Sequence, residues 1–260
     1  MPTIADNLAF ILTVPLLFLS SFALLALLVQ LARRGLLRAH WPLAAYAMVE
    51  GLSGPLTFLS TPTKLPLLFR ASEILKLVFA VMVIWSLSRT LFSSYPAIGS
   101  FASRAAKLIV AGCLLLGWIS FLTDPILPLG RSPALHLFIS VERAVITGLL
   151  AFLFILSVFV GWFPVRMARN LARILIGFLA ILTAAWINHL VSNVASRYTP
   201  WGNILSSIML VGSAVYWSLT VHLAGETETA YTLPAWDPER MDRMTSQLAQ
   251  MEAQLSRRGH

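Results

Sequence analysis

The 260-residue chain is poor in charge and nearly free of cysteine: 12% of its residues are Asp, Glu, Lys or Arg, and Cys113 stands alone. So little charge argues against an ordinary soluble domain, which carries about twice that share. A single cysteine excludes an intrachain disulfide, and its place inside an apolar run fits a small buried side chain. Common catalytic signatures are also missing. There is no Gly-x-Ser-x-Gly elbow, no Gly-rich phosphate loop, and no His-Glu-x-x-His or Glu-x-x-His arrangement for a metal.

What is present is apolar. Hydrophobic residues make up 58% of the chain, which has a mean hydropathy of +0.79. They gather into seven runs, at residues 8–31, 41–60, 67–87, 105–122, 135–160, 171–190 and 205–223. Seven spans of about 21 residues use roughly 147 residues, which leaves short loops and one tail but no sizeable extramembrane domain. The first run is preceded by Asp6 and no basic residue, and it exceeds the apolar core of a secretory signal, so it reads as a retained span.

The basic residues set the orientation. Arg33, Arg34 and Arg38 lie between the first two runs; Arg89, Arg104 and Lys107 in or beside the third connection; and Arg166, Arg169 and Arg173 in or beside the fifth. These three connections share a side, which the positive-inside bias assigns to the cytoplasm. The opposite connections carry less: Lys64 and Arg70 at one, Arg131 with Asp124 at another, Arg197 at the last. The expectation is an all-α, polytopic membrane helical bundle of seven transmembrane helices over residues 1–224, with its N-terminus outside and its C-terminus cytoplasmic. The net charge of +8 is spread over these loops rather than gathered in one footprint, which argues against a nucleic-acid partner.

The segment 41–60 fits least well, because it holds Glu50, Gly51, Gly54 and Pro55. Half-inserted, it would leave six full spans and reverse the later loops; as a full span it preserves the charge alternation. Pro55 removes an intrahelical bond and Gly51 permits close backbone approach, so either a packing kink or a discontinuous helix lining a path fits the residues.

Glu50 lies near the middle of its run and cannot face lipid ionised, so it must face the bundle, pair, or take a proton. Arg70, Glu73 and Lys76 follow at steps of three and share a helix face. One reading pairs Glu50 with Lys76 and Glu73 with Arg70, as a lock with no further role. On the fifth run His136, Ser140 and Arg143 share one side, while Glu142 addresses another; on the sixth, Trp186, His189 and Asn193 form a stripe beside Asn188. The other reading joins Glu50, Arg70, Glu73, Lys76, His136, Glu142, Arg143, His189 and Asn193 in one polar cavity that opens outward and is closed on the cytoplasmic side by apolar packing. A small polar or anionic ligand can then meet Arg70, Lys76 and Arg143.

Haem would require facing histidines; His136 with His189, and His40 with His222, are the pairs available. No cofactor is specified. Trp41, Trp162 and Trp201 fit membrane boundaries, as do Trp85 and Trp217 on the inner side and Trp118 on the outer. The last run has no lysine for a retinal Schiff base.

After Gly225 the composition changes. Residues 225–236 read as an irregular connector, and Asp237 with Pro238 then starts a helix. Met241, Met244, Leu248, Met251 and Leu255 form one apolar stripe along a tail at 237–260. The stripe suits docking to a cytoplasmic protein or to a second copy; a frayed helix folded on its own loops is the plainer alternative. In layout, though in no sequence motif, the whole resembles bacterial membrane sensor modules. It implies an integral protein of the bacterial cytoplasmic membrane: a non-enzymatic receptor or complex subunit with a lipid bilayer around it. Alternatives are a small-solute or ion-coupled transporter using Glu50 and Glu73, and an intramembrane enzyme.

Overall fold

A computed structural model describes residues 4–59, 65–93, 133–162, 167–194 and 198–227, with short helical pieces at 245–247 and 250. The described part of the bundle is six long helices: α1 (Ile4–Arg33), α2 (Trp41–Leu59), α3 (Leu65–Ser93), α4 (Pro133–Trp162), α5 (Arg169–Val194) and α6 (Thr199–Thr220), followed by a short 3-10 helix at Leu223–Glu226. Five of them, all but α2, are long and apolar enough to cross a membrane. In lipid a backbone must satisfy its own hydrogen bonds, which is why apolar runs of this length become helices. The apolar run at 105–122 lies outside the described residues.

Helix ends follow local chemistry. Gly35 adopts φ +69 and closes α1, with its N–H on the Ala32 carbonyl at 3.0 Å and the Leu36 N–H on the Leu31 carbonyl at 2.9 Å. Leu31 and Leu36 are both buried, so the motif carries its apolar contact as well. At the other end of the chain α6 begins six residues before its apolar run, because Pro200 sits in the first turn, where a missing N–H costs nothing.

The helices pack as a closed ring in the order α1, α2, α3, α4, α5, α6 and back to α1, with α3–α4 the slightest seam. Arg34, just past α1, donates to the Val221 carbonyl just past α6, and His40 before α2 meets Glu226. Asn170 at the start of α5 meets Glu226 too. These groups define one end of the bundle, called here the basic end. The Phe92 and Phe159 rings, 5.7 Å apart, bring the ends of α3 and α4 together, and a cleft shared by His40, Ser86 and Ile174 sets the end of α3 beside the starts of α2 and α5. Hence α1, α3, α4 and α6 run toward the basic end, and α2 and α5 away from it. α3 and α4 therefore run the same way.

Segment 41–59 is one continuous helix despite its two glycines and Pro55. Its small residues serve packing: a Cβ on Gly51 would meet Leu24 at 3.3 Å, and one on Gly54 would meet Leu17 and the Ser21 hydroxyl at 3.0 Å. Close approach on small residues is what holds helices together where lipid is as apolar as the interior.

Burial is uneven along the bundle. In α3 nothing between 68 and 79 is buried, whereas Ala80, Val83, Ile84, Leu87 and Leu91 all are. Leu24, Leu27 and Leu31, Leu43 and Ala47, Leu153, Ile174, Phe178 and Trp217 fill the same half. The basic half is therefore a packed apolar plug. Large side chains such as Phe22 at 72% exposure, Phe154 at 63% and Leu219 at 73% face outward, as a lipid-facing surface requires.

Candidate functional site

Polar side chains collect in two places. In the half away from the basic end, Lys76 of α3 lies between two carboxylates, with Nζ 2.8 Å from Glu73 Oε1 and 3.2 Å from Glu50 Oε2. Glu73 is three residues away on the same helix, so its reach is dictated locally; Glu50 comes from α2. Glu142 of α4 faces His189 of α5, Oε1 to Nε2 at 3.6 Å. Glu142 and Glu50 both lie within electrostatic reach of Glu73, so the two pairs are neighbours rather than separate sites. Four helices contribute, and each of these five side chains is between 15% and 19% exposed.

The Glu50–Lys76 pair matches the sequence expectation, but Glu73 turns to Lys76 rather than to Arg70. Both carboxylates can share one ammonium because Lys carries three donors on a flexible stem. Arg70 lies two turns before Lys76 and is half-buried. Arg143 makes an interaction of its own beside Glu142. His136 and Asn193 lie on α4 and α5, but their side chains are outside the described residues.

The second place is the basic end, and here sequence reading missed most of the parts. Asn170 is fully buried and donates to Glu226 Oε1 at 2.5 Å and to the His222 carbonyl at 2.7 Å, while its own oxygen accepts the His222 N–H at 3.3 Å. His40 Nε2 lies 2.7 Å from the same Glu226 oxygen. The His222 ring accepts the Gly225 N–H at 3.1 Å, and Gly225 has no room for a Cβ because Asn170 occupies the space. Arg173 donates to Asn170 at 3.4 Å and to the Thr220 carbonyl. The open carbonyls at and just past the end of α6 are thus satisfied by side chains from the turn after α1 and from α5. The hydrogen bond with His40 holds the Glu226 carboxyl below its ordinary value of 4.5; partial burial opposes this and the Asn170 amide assists.

Three readings of the sequence gain detail here. Leu223–Glu226 form a short 3-10 turn, whose last two residues open the segment expected as a connector; residues 228–236 lie outside the described residues. His40 and His222 are each committed through a ring nitrogen to the protein itself, so they do not face one another as haem ligands would. Trp217, in the last turn of α6, points into the bundle rather than to lipid: it is fully buried, packed on Phe178 with ring centroids 5.3 Å apart, and its indole N–H donates to the Arg173 carbonyl at 3.0 Å. Trp41 and Trp85, by contrast, are exposed near the basic end, and Trp201 near the other, as amphipathic rings at a membrane boundary would be.

Among the described residues no group of three or more His, Cys, Asp or Glu side chains is placed to hold a metal ion. Met241, Met244, Leu248, Met251 and Leu255 all lie outside the described residues. No known protein family matches the chain, and no curated protein and no solved structure is detectably similar to it. The fold defines a helical membrane protein, of a kind compatible with receptor or transporter roles in general.

Proposed function

We propose that this chain is a seven-span, non-enzymatic membrane receptor or membrane-complex subunit, with the Lys76 cluster facing outside and the basic end in the cytoplasm of a bacterial cell. The parallel course of α3 and α4 supports a seventh crossing between them, which the sequence offers in the apolar run 105–122. The loop arginines at the basic end support the orientation.

The observation that carries the reading is the convergence of Glu50, Glu73, Lys76, Glu142 and His189 from four helices above an apolar plug. Ionisable groups at membrane depth are costly and mark sites of recognition or transport more often than scaffolding. Three carboxylates meet one lysine and one histidine. A small ligand carrying an ammonium group finds acceptors there, whereas an anionic one must draw on Arg70 and Arg143 at the edge. The protein in lipid nanodiscs is to be screened by thermal shift against small amines and small carboxylates. A saturable rise with one class, lost in Glu142→Gln, supports the cavity; no shift with either class removes it.

The carboxylate excess also favours a second reading, a proton-coupled carrier in which Glu50 and Glu73 exchange protons with the ligand. Substrate-dependent proton flux in proteoliposomes, abolished by Glu50→Gln, would establish the carrier in place of the receptor. Under either reading the Met/Leu stripe of residues 237–260 docks a cytoplasmic protein or a second copy. Deletion of that tail with normal membrane insertion should abolish capture, and unchanged capture would remove the docking role.

A further inference from the structure

The two polar centres are joined through the core by a short run of contacts. Tyr46 lies one helical turn before Glu50 on α2, buried and within electrostatic reach of both Glu50 and Glu73. Its ring packs on Phe178 of α5, centroids 5.2 Å apart at 56°. Phe178 packs in turn on Trp217 of α6, centroids 5.3 Å apart at 32°. The Trp217 indole is hydrogen-bonded to the Arg173 carbonyl, and the Arg173 guanidinium reaches both Asn170 and the Thr220 carbonyl. Asn170 holds Glu226, which His40 holds from the other side.

Phe178 and Trp217 are both fully buried, and close-packed rings have little space in which to absorb a displacement. A shift of α2 that follows a change at Glu50 must therefore move Phe178 against Trp217 or open a gap between them. Trp217 stands one turn before the carbonyls that Arg34 and Arg173 cap, at the point where the chain leaves the bundle. The latch around Glu226 is made of a few polar contacts where the chain leaves this plug, and with Glu226 partly exposed it can open without unpacking the core.

We infer that Tyr46, Phe178 and Trp217 form a column that couples the Lys76 cluster to the Asn170–Glu226–His40 latch, so that the state of the cluster sets whether residues 223–227 stay docked at the basic end. The inference rests on the receptor reading, in which the chain beyond residue 227 reports outward occupancy to the cytoplasm. The column is a positioning device: none of its rings need touch a ligand.

The test uses the full chain in nanodiscs, with Cys113→Ser and spin labels at Arg38→Cys and Thr227→Cys, two exposed positions flanking the latch. Perturbing the cluster by Lys76→Gln, or by Glu50→Gln where the lysine variant does not insert, should raise the ratio of long to short label distances by about fivefold, the low end of ordinary site-to-site coupling. Trp217→Phe, which deletes the indole donor, and Phe178→Leu, which loosens the stack, should each abolish that response while keeping the short distance in the unperturbed protein. An unchanged distance distribution in both cluster variants overturns the inference. So does a response that survives both column variants. Neither result touches ligand binding, which the thermal-shift screen reads separately.

Discussion

Gly177 and Trp217 occupy each other's space: a Cβ at position 177 would fall within the indole ring, and the Ser213 hydroxyl one turn earlier on α6 bonds the Gly177 carbonyl at 3.2 Å. The absence of one side chain on α5 is what makes room for Trp217, the largest fully buried side chain among the described residues. Gly177→Ala should therefore destabilise the protein by about 1–3 kcal/mol, the usual cost of overpacking, although alanine is the better helix former. Thermal unfolding in detergent measures this. Trp217→Leu in the same chain should recover part of the loss, and strictly additive effects would show that the two residues do not press on each other.

Lys76 is held by two carboxylates, so its removal leaves a group of like charges in a low-dielectric setting. Lys76→Met should cost about 3 kcal/mol, within the range for breaking a buried pair from one side. Lys76→Met combined with Glu50→Gln should be less damaging than Lys76→Met alone, because the uncompensated charge is then partly removed. Detergent-solubilised yield and unfolding temperature read both. A double variant worse than the single one would show that Glu50 has another partner.

The latch has a pH dependence with a defined sign. The Glu226 carboxyl titrates lower in the folded protein than in an unfolded chain, chiefly because His40 bonds its ionised form. Its contribution is complete above the ordinary carboxylate value and is lost as the pH falls through the lower folded value. Hydrogen exchange corrected for intrinsic rates should show the Gly225 and Thr227 amides protected at neutral pH and released as the pH falls below the ordinary carboxylate range. Glu226→Gln should remove the acid-induced step, and a step of unchanged size in that variant would assign it to another group.

Asn170→Ala takes away three hydrogen bonds to the segment after α6 and leaves the Glu226 carboxylate with fewer donors. A loss of about 2 kcal/mol is expected, with the exchange of residues 222–227 accelerated at neutral pH. Normal protection of that segment would mean that His40 and Arg34 hold it unaided.

Sidedness is directly measurable. In a Cys113→Ser background an impermeant maleimide applied from outside should label Tyr198→Cys, at the start of α6, and spare Arg38→Cys and Thr227→Cys until the membrane is opened. The reverse pattern would invert the bundle and place the Lys76 cluster toward the cytoplasm.

Much of this architecture is written in local sequence. Runs of apolar residues dictate long helices wherever water is absent, Gly35 after two arginines announces the end of α1, and three residues between Glu73 and Lys76 bring the pair onto one face. Glu50 could be recognised as inward-facing from the cost of leaving a carboxylate in lipid. Tertiary structure alone decided which partner each charge takes, that Glu73 prefers Lys76 to Arg70, that Trp217 is a core pillar, and that Asn170 ties the chain down past α6. The physical reason lies in the solvent. In water an apolar stripe tells which face of a helix is buried, but here the lipid side is as apolar as the core, and helices such as α1 and α3 carry apolar residues all round. The rotation of each helix about its own axis, and with it every contact between helices, is fixed only by the shapes that meet.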